Sequence, residues 1–185
     1  MVITYYGEGC FRLQSGETSL LVDPSTNRLK ADLVLQTLAP AEGEMEAEKI
    51  SFAGEYESKG IEVQGVEVSE ESTPKFVKTV FGVKFEDIQF LFLGHLSKIP
   101  DAKLFERLGE PDVVFIPVGS EHFLSPEDAA KLVRQFEPSI IVPSFYKDPD
   151  KFLKLLGQKG ESEEKIVFKK KDLTGNQRVV VLKAQ

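Results

Sequence analysis

The stretch from residue 113 to residue 142 decides the fold class of this chain. It opens with the apolar run Val113-Val114-Phe115-Ile116-Pro117-Val118 and ends with Ile140-Ile141-Val142. Short, continuous apolar runs are typical of strands buried on both faces of a parallel sheet. Between them, Ser125-Pro126-Glu127-Asp128 predicts a helix start, with serine as N-cap, proline in the first turn and acidic side chains at the positive end of the helix dipole. An apolar stripe at helical spacing follows, so the stretch predicts a β-α-β unit.

Strand patterns dominate the chain on the N-terminal side of this unit. Short β-prone runs, punctuated by glycines, lie at residues 2–6, 10–14, 19–22, 32–37, 50–53, 61–68, 76–81, 83–85 and 88–93. Further helices are predicted at residues 100–108 and 148–156, and a closing hairpin at residues 165–168 and 179–182. No internal repeat or linker-like segment interrupts the pattern. Residues 1–185 are therefore expected to form a single α/β domain, with most of its strands in the first half.

The composition limits both the compartment and the chemistry. No apolar run approaches the roughly 20 residues that span a bilayer, and the lone Cys10 cannot form an internal disulfide, which together favour a cytoplasmic protein and no membrane partner. A net charge of −7 repels phosphate backbones and argues against a nucleic-acid partner. Two histidines and one cysteine in 185 residues cannot supply a histidine-rich two-metal site.

Several short strings, in their order along the chain, resemble the metallo-β-lactamase fold superfamily, and in particular its small bacterial hydrolase-like group related to ascorbate-6-phosphate lactonase. The strings are Ile3-Thr4-Tyr5-Tyr6-Gly7-Glu8-Gly9-Cys10-Phe11, Leu21-Val22-Asp23-Pro24, Gly54-Glu55-Tyr56-Glu57 and Phe92-Leu93-Gly94-His95-Leu96. The resemblance implies an α/β (α+β) fold of the αββα four-layer sandwich type. Two facing sheets would then carry helices on their outer sides.

The same resemblance shows where the family's metal ligands should be, and most of them are replaced. The loop that holds three histidines in active members reads Thr37-Leu38-Ala39-Pro40-Ala41-Glu42-Gly43, with Leu38, Pro40 and Gly43 at the histidine positions. The last ligand histidine falls on Phe145. Only Glu42 and His95, both at aspartate positions, could touch a metal. The resemblance therefore implies no bound metal, no other cofactor and no assigned catalytic residue.

Two functions remain open at this point. The first is a catalytically degenerate, metal-free protein with a binding, scaffold or regulatory role toward a protein or small-molecule partner. The alternative is a hydrolase or lactonase-like enzyme that keeps a residual or rearranged site formed by Asp23, Glu55 and His95. A nuclease-like role rests on fold analogy alone, and the acidic composition counts against it.

The matched strings place five polar residues at the mouth of one cleft, namely Asp23, Glu42, Glu55, His95 and Tyr146. Clustered carboxylates there could bind a hard cation weakly, although turn capping is the commoner role of such side chains. Without metals, an apolar filling of the cleft becomes favourable, because unpaired polar groups in a shielded site are costly. Leu38 and Phe145 are therefore expected to pack inward, with His95 at the rim beside a hydrogen-bond partner.

Overall fold

The computed structural model describes residues 1–43, 48–119, 122–160, 162–173 and 176–185. In chain order the elements are β1 (Val2–Tyr5), β2 (Phe11–Ser15), β3 (Thr18–Val22), β4 (Leu33–Leu35), β5 (Leu38–Pro40), β6 (Lys49–Ile50), β7 (Gly54–Ser58), β8 (Ile61–Glu67), β9 (Phe76–Phe85), β10 (Ile88–Phe92), α1 (Ala102–Glu106), β11 (Val113–Pro117), α2 (Pro126–Phe136), β12 (Ile140–Ser144), α3 (Asp150–Leu155), β13 (Ser162–Glu163), β14 (Ile166–Val167), a 3-10 helix (Lys170–Asp172), β15 (Arg178–Val179) and β16 (Val181–Leu182). None of the described helices is long and apolar enough to cross a membrane.

Two large sheets face each other. One has six strands in the order β14-β1-β2-β3-β4-β6, and the other has eight, running β15-β12-β11-β10-β9-β8-β7 with β5 paired to β9. The parallel pairing expected for the strand at residues 113–118 is confirmed, because β11 pairs in parallel with β10 and β12. Since β9 and β10 are antiparallel, the sheet as a whole is mixed. A buried apolar core joins the sheets. At its centre the ring of Phe11 from the first sheet lies 4.7 Å from that of Phe115, which stacks on Phe92 at 4.3 Å.

The predicted helix of the β-α-β unit is confirmed with its caps. Ser125 accepts a hydrogen bond from the backbone amide of Asp128, Pro126 occupies the first turn, and Glu137 ends the helix in a left-handed conformation. The apolar stripe of α2 is buried against the outer face of the eight-stranded sheet, together with side chains of α1 and α3. This packing forms a second core, on the far side of that sheet from the first.

The mixed α/β class and the two facing sheets are confirmed, but the expected αββα arrangement needs one correction. In the described part of the chain, the buried residues of all three α-helices pack on the eight-stranded sheet, so no such helix covers the six-stranded sheet. The reason is the short connections of that sheet. Residues 23–32, which link the parallel strands β3 and β4, contain bends and turns and no helix.

Three local predictions also differ from the structure. Residues 54–58 lie outside the predicted strands but form the edge strand β7. The two strands predicted at residues 76–81 and 83–85 are the single strand β9. At Gly82, within β9, the missing side chain admits the backbone of Leu108, whose carbonyl oxygen lies 3.0 Å from where a Cβ would be. The closing hairpin is wrong. β14 pairs with β1 and β15 with β12, because the ends of both large sheets offer unpaired edges to the C-terminal segment. β16 pairs with β13 in a separate two-stranded sheet.

Candidate functional site

A cleft lies at the carboxyl ends of strands from both sheets. Asp23 follows β3, Thr37 lies two residues beyond β4, His95 follows β10 and Phe145 follows β12. A cavity of about 450 Å³ opens there, and it is lined by Glu8, Asp23, Pro24, Ser25, Gln36, Leu38, His95, Phe123 and Phe145. Ligands of α/β proteins commonly bind at the carboxyl ends of strands, so this cavity is the candidate site.

A chain of hydrogen bonds links three of these positions. The backbone amide of Thr37 donates to Asp23 Oδ1 at 2.7 Å, and the Thr37 hydroxyl donates to Asp23 Oδ2 at 2.6 Å. His95 Nδ1 lies 2.8 Å from Thr37 Oγ1. Since the hydroxyl proton is used toward Asp23, the network assigns the imidazole proton to Nδ1 and leaves Nε2 as an acceptor. The side chain of Thr37 is buried, whereas that of His95 is 22% exposed.

Burial shifts both titratable groups of this chain toward their neutral forms. Desolvation raises the pKa of Asp23 from 3.8 to about 6, against the opposing effect of the two Thr37 hydrogen bonds. Desolvation, and then the charge of Lys78, lowers the pKa of His95 from 6.5 to about 4. Asp23 Oδ2 and His95 Nδ1 are 3.9 Å apart. At neutral pH Asp23 is therefore a carboxylate and His95 a neutral imidazole, so the two do not form an ion pair. Both are hydrogen-bonded to the hydroxyl of Thr37.

The two pKa shifts predict opposite effects on stability. The folded state holds the Asp23 proton more tightly than the unfolded state, so this group makes stability fall as the pH rises from about 4 to 6. The folded state holds the His95 proton less tightly, so this group makes stability rise between about pH 4 and 6.5. Each contribution is on the order of 3 kcal/mol, and in the parent protein they largely cancel.

We expect single substitutions to expose the two slopes. Asp23→Asn, which suits the positive φ of 46° at this position, should make stability rise more steeply with pH than in the parent. His95→Gln should make stability fall with rising pH, relative to the parent, over the same range. Urea unfolding of the three proteins at several pH values between about 4 and 7 measures this. Parallel curves for all three would show that neither group is shifted.

One wall of the cleft is aromatic. The Phe123 and Phe145 rings stack at a centroid distance of 4.1 Å with 17° between their planes, and Phe145 also lies 4.9 Å from the His95 ring. The Phe145 ring covers Gly9, where an added Cβ would lie 2.2 Å from its Cζ atom. Phe145 packs inward as expected, and His95 has a hydrogen-bond partner. Leu38 lines the cavity, and both apolar side chains stay half-buried.

A partly buried ion pair supports the segment that carries His95. The carboxylate of Glu71 accepts hydrogen bonds from Ser97 and from the backbone amide of Lys98, and it pairs with Lys78 Nζ at 2.7 Å. Lys78 Nζ also donates to the carbonyl oxygen of His95 at 2.7 Å. Burial acts to raise the pKa of Glu71, but these donors together outweigh it and lower the pKa. The β8–β9 connection thus fixes the backbone of the His95 segment.

The structure brings together two of the five predicted cleft residues, Asp23 and His95. Glu42 is exposed beyond β5, and Glu55 is exposed on the edge strand β7, so neither lines the cavity. Tyr146 points away from it and donates to the carbonyl oxygen of Leu182. The expected gathering of all five at one mouth is corrected accordingly, since alternate residues along an edge strand face opposite sides and the turn after β12 sends successive side chains apart.

Thr37 and Cys10 both lie close to Asp23. Thr37 was not predicted as a site residue, although a threonine at the end of a predicted strand, as the first residue of the loop at the ligand positions, was the available signal. Cys10 is buried, and desolvation followed by the charge of Asp23 raises its pKa to about 11. A Cys10–His95 nucleophilic pair is therefore not supported, because the thiolate would be scarce at neutral pH.

The donor atoms at the cleft do not fit a two-metal centre. Nowhere in the described ranges do three or more His, Cys, Asp or Glu side chains group in a way that could hold a metal ion. Leu38 and Phe145 carry no donor atom, and both carboxylate oxygens of Asp23 already accept hydrogen bonds from Thr37.

Comparison with known proteins agrees with this architecture. The beta-lactamase superfamily domain matches residues 2–144. A metal-dependent hydrolase of Methanopyrus kandleri is 24% identical, with 91% of this chain and 96% of the relative covered. Another, from Thermococcus kodakarensis, is 32% identical over a shorter match that covers 43% of this chain and 39% of the relative.

Solved structures show the same fold along the chain. A Thermotoga maritima protein, named as a Zn-dependent hydrolase of the metallo-β-lactamase superfamily, superposes with a TM-score of 0.82 at 25% identity, and 100% of this chain and 99% of that chain are covered. A metallo hydrolase of Ignicoccus hospitalis, at 19% identity, has a TM-score of 0.69 with 91% and 99% covered, and supports the fold alone. The family match, the two facing sheets and the cleft at their strand ends agree, and this chain belongs to the metallo-β-lactamase superfamily.

Proposed function

We propose that this protein is a hydrolase that acts on a small ester or lactone in the cleft without the family's metal pair. The observation that carries the proposal is the Asp23–Thr37–His95 hydrogen-bond chain, which orients an uncharged imidazole at the cavity wall. The relatives named as metal-dependent hydrolases support hydrolysis as the reaction class. The rearranged site uses Asp23 and His95 of the residues expected from the sequence, and it adds Thr37.

The proposed step is general-base hydrolysis. Nε2 of His95 accepts a proton from a water molecule, whose oxygen forms a bond to the carbonyl carbon of the substrate. The imidazolium that forms is stabilised by Asp23 Oδ2, 3.9 Å from Nδ1, and the Thr37 hydroxyl between them keeps the ring in place. The proton then passes to the alkoxide that leaves as the acyl–oxygen bond breaks. A positioned base contributes about 10²–10⁴-fold to rate, and the lowered pKa of His95 places its contribution at the lower end of that range.

The experiment is a hydrolysis assay on a panel of small esters and lactones with chelator present, alongside elemental analysis of the dialysed protein. We expect turnover with no stoichiometric metal, and His95→Ala should lower kcat by about 10²-fold. His122→Ala is the matched control, because His122 is exposed and does not line the cavity, and it should leave the rate unchanged. Activity that chelator abolishes and zinc restores would overturn the metal-free proposal.

A second candidate is a catalytically degenerate domain that binds a ligand or a protein partner without turnover, in a binding, scaffold or regulatory role. It is supported by the apolar side chains of Leu38 and Phe145, which stand at two metal-ligand positions and narrow the cleft. Saturable ligand binding without hydrolysis of any member of the panel would favour it. The proposed compartment is the cytoplasm and the proposed partners exclude nucleic acid, from the lone buried Cys10 and the acidic composition respectively.

A further inference from the structure

We propose that the ligand of this cleft presents a flat apolar face and carries a neutral or cationic group, never an anionic one. The inference rests on the cleft being the binding site, as proposed above, and it adds the chemical class of the ligand. It holds whether the ligand is hydrolysed or only bound. The reasons are the shape of the aromatic wall and the charges of the lining side chains.

The aromatic wall favours a flat apolar group. Phe123 and Phe145 are stacked on one another and are both only half-buried, and Leu38 on the cavity lining is half-buried as well. Their remaining exposed surface faces a concavity, where a planar group can remove it from water on more than one side. The Phe145 ring cannot retreat further, because it already contacts the backbone of Gly9. The wall is thus a preformed platform.

The charges of the lining residues exclude an anion. The ionisable side chains among the described lining residues are Glu8, Asp23 and His95, and none is a lysine or an arginine. His95 is engaged through Nδ1 with the Thr37 hydroxyl, 2.8 Å away, and that hydroxyl donates to the carboxylate of Asp23. The nearby Lys78 is engaged with Glu71 and the His95 carbonyl, and it does not line the cavity.

A negative group in this cavity would therefore meet carboxylates with no cation to balance it. A cationic group gains in two ways, from the carboxylates and from the faces of the aromatic rings. A neutral group can also bind, but it gains none of the electrostatic part of the binding free energy. The expected order of affinity is cation, then neutral, then anion.

Three probes with the same ring test this order, namely benzyltrimethylammonium, benzyl alcohol and benzylphosphonate, titrated at neutral pH into the full chain by NMR. We expect the cation to bind at least about tenfold more tightly than the anion, which corresponds to about 1.4 kcal/mol. Phe123→Leu should weaken all three probes, and Glu8→Gln should weaken only the cation. Glu106→Gln, in a separate groove beside α1, is the matched control and should change none of them.

Equal or tighter binding of benzylphosphonate, no binding of any probe, or no effect of Phe123→Leu would overturn the inference. None of the probes contains an ester or lactone, so their binding does not depend on turnover. Probes that rank as expected, in a protein that hydrolyses nothing, would therefore reject the hydrolase proposal and keep this one. Turnover of esters together with an inverted probe order would reject this inference and keep the hydrolase proposal.

Discussion

Gly94→Ala is expected to destabilise the protein by on the order of 3–5 kcal/mol. Gly94 has a φ of 52°, and a Cβ added there would lie 2.2 Å from both Cβ and Oγ1 of Thr37. Thr37 cannot move aside, because it is β-branched, buried and hydrogen-bonded to Asp23 and His95. The substitution should therefore disrupt the whole hydrogen-bond chain of the cleft, as well as straining the backbone.

Gly16→Ala separates the two causes of this destabilisation, the backbone strain and the clash with Thr37. Gly16 has nearly the same backbone angle, with a φ of 56°, and no atom lies within 4 Å of an added Cβ. Its cost should be limited to the left-handed conformation, about 1–2 kcal/mol. Urea midpoints of both variants at constant slope give the comparison. Equal costs at the two positions would mean that Thr37 yields easily and that the cleft is not rigid.

Glu71→Ala is the second substitution with a large expected effect, a loss of about 3–5 kcal/mol. The Glu71 side chain is 8% exposed and its Lys78 partner 20% exposed, so the change leaves a shielded ammonium without its counter-ion. It also removes the acceptor for Ser97 and for the Lys98 amide. Because Lys78 holds the His95 carbonyl, the His95 segment should loosen, and amide hydrogen exchange of residues 95–98 should accelerate.

The pair Glu62 and Lys84 provides the matched control on the neighbouring strands. These side chains form a comparable contact at 2.9 Å but are 59% and 40% exposed, so Glu62→Ala should leave the urea midpoint nearly unchanged. The double variant Glu71→Leu with Lys78→Met should recover much of the loss, since no unpaired charge remains. If Glu71→Ala were as mild as Glu62→Ala, the support given to the His95 segment would be negligible.

Local sequence patterns were sufficient to predict a helix or strand wherever its own residues specify it. Residues 126–136 have the caps and the apolar stripe of a helix, and α2 begins at the predicted start, directly after Ser125. The edge strand β7 was missed because its alternating exposed residues contribute little to the core, so its pairing with β8 rather than its composition makes it a strand. The C-terminal pairs were misassigned because their partners, β1 and β12, are far away in sequence.

The cleft was predictable in part. The replacement of ligand-type residues at positions 38, 40, 43 and 145 could be read from the sequence, as could a place for His95 beside them. The exposure of Glu42 and Glu55 could not, because a carboxylate in a matched string carries no information about which face of a strand it will occupy. A shift of one residue in strand register moves a side chain from one face of the sheet to the other.

The sequence by itself determined three features, because each depends on side-chain chemistry at known positions. These are the short glycine-punctuated strands of the first half, the β-α-β unit with its continuous apolar strands, and the loss of donor atoms at the cleft. Only the tertiary structure decided that Asp23, Thr37 and His95 form one hydrogen-bond chain. Thr37 is 14 residues from Asp23 and 58 from His95, and the three meet because β3, β4 and β10 end at the same side of two facing sheets. Strand pairing and packing across the core set that meeting, and neither is encoded within a short segment of chain.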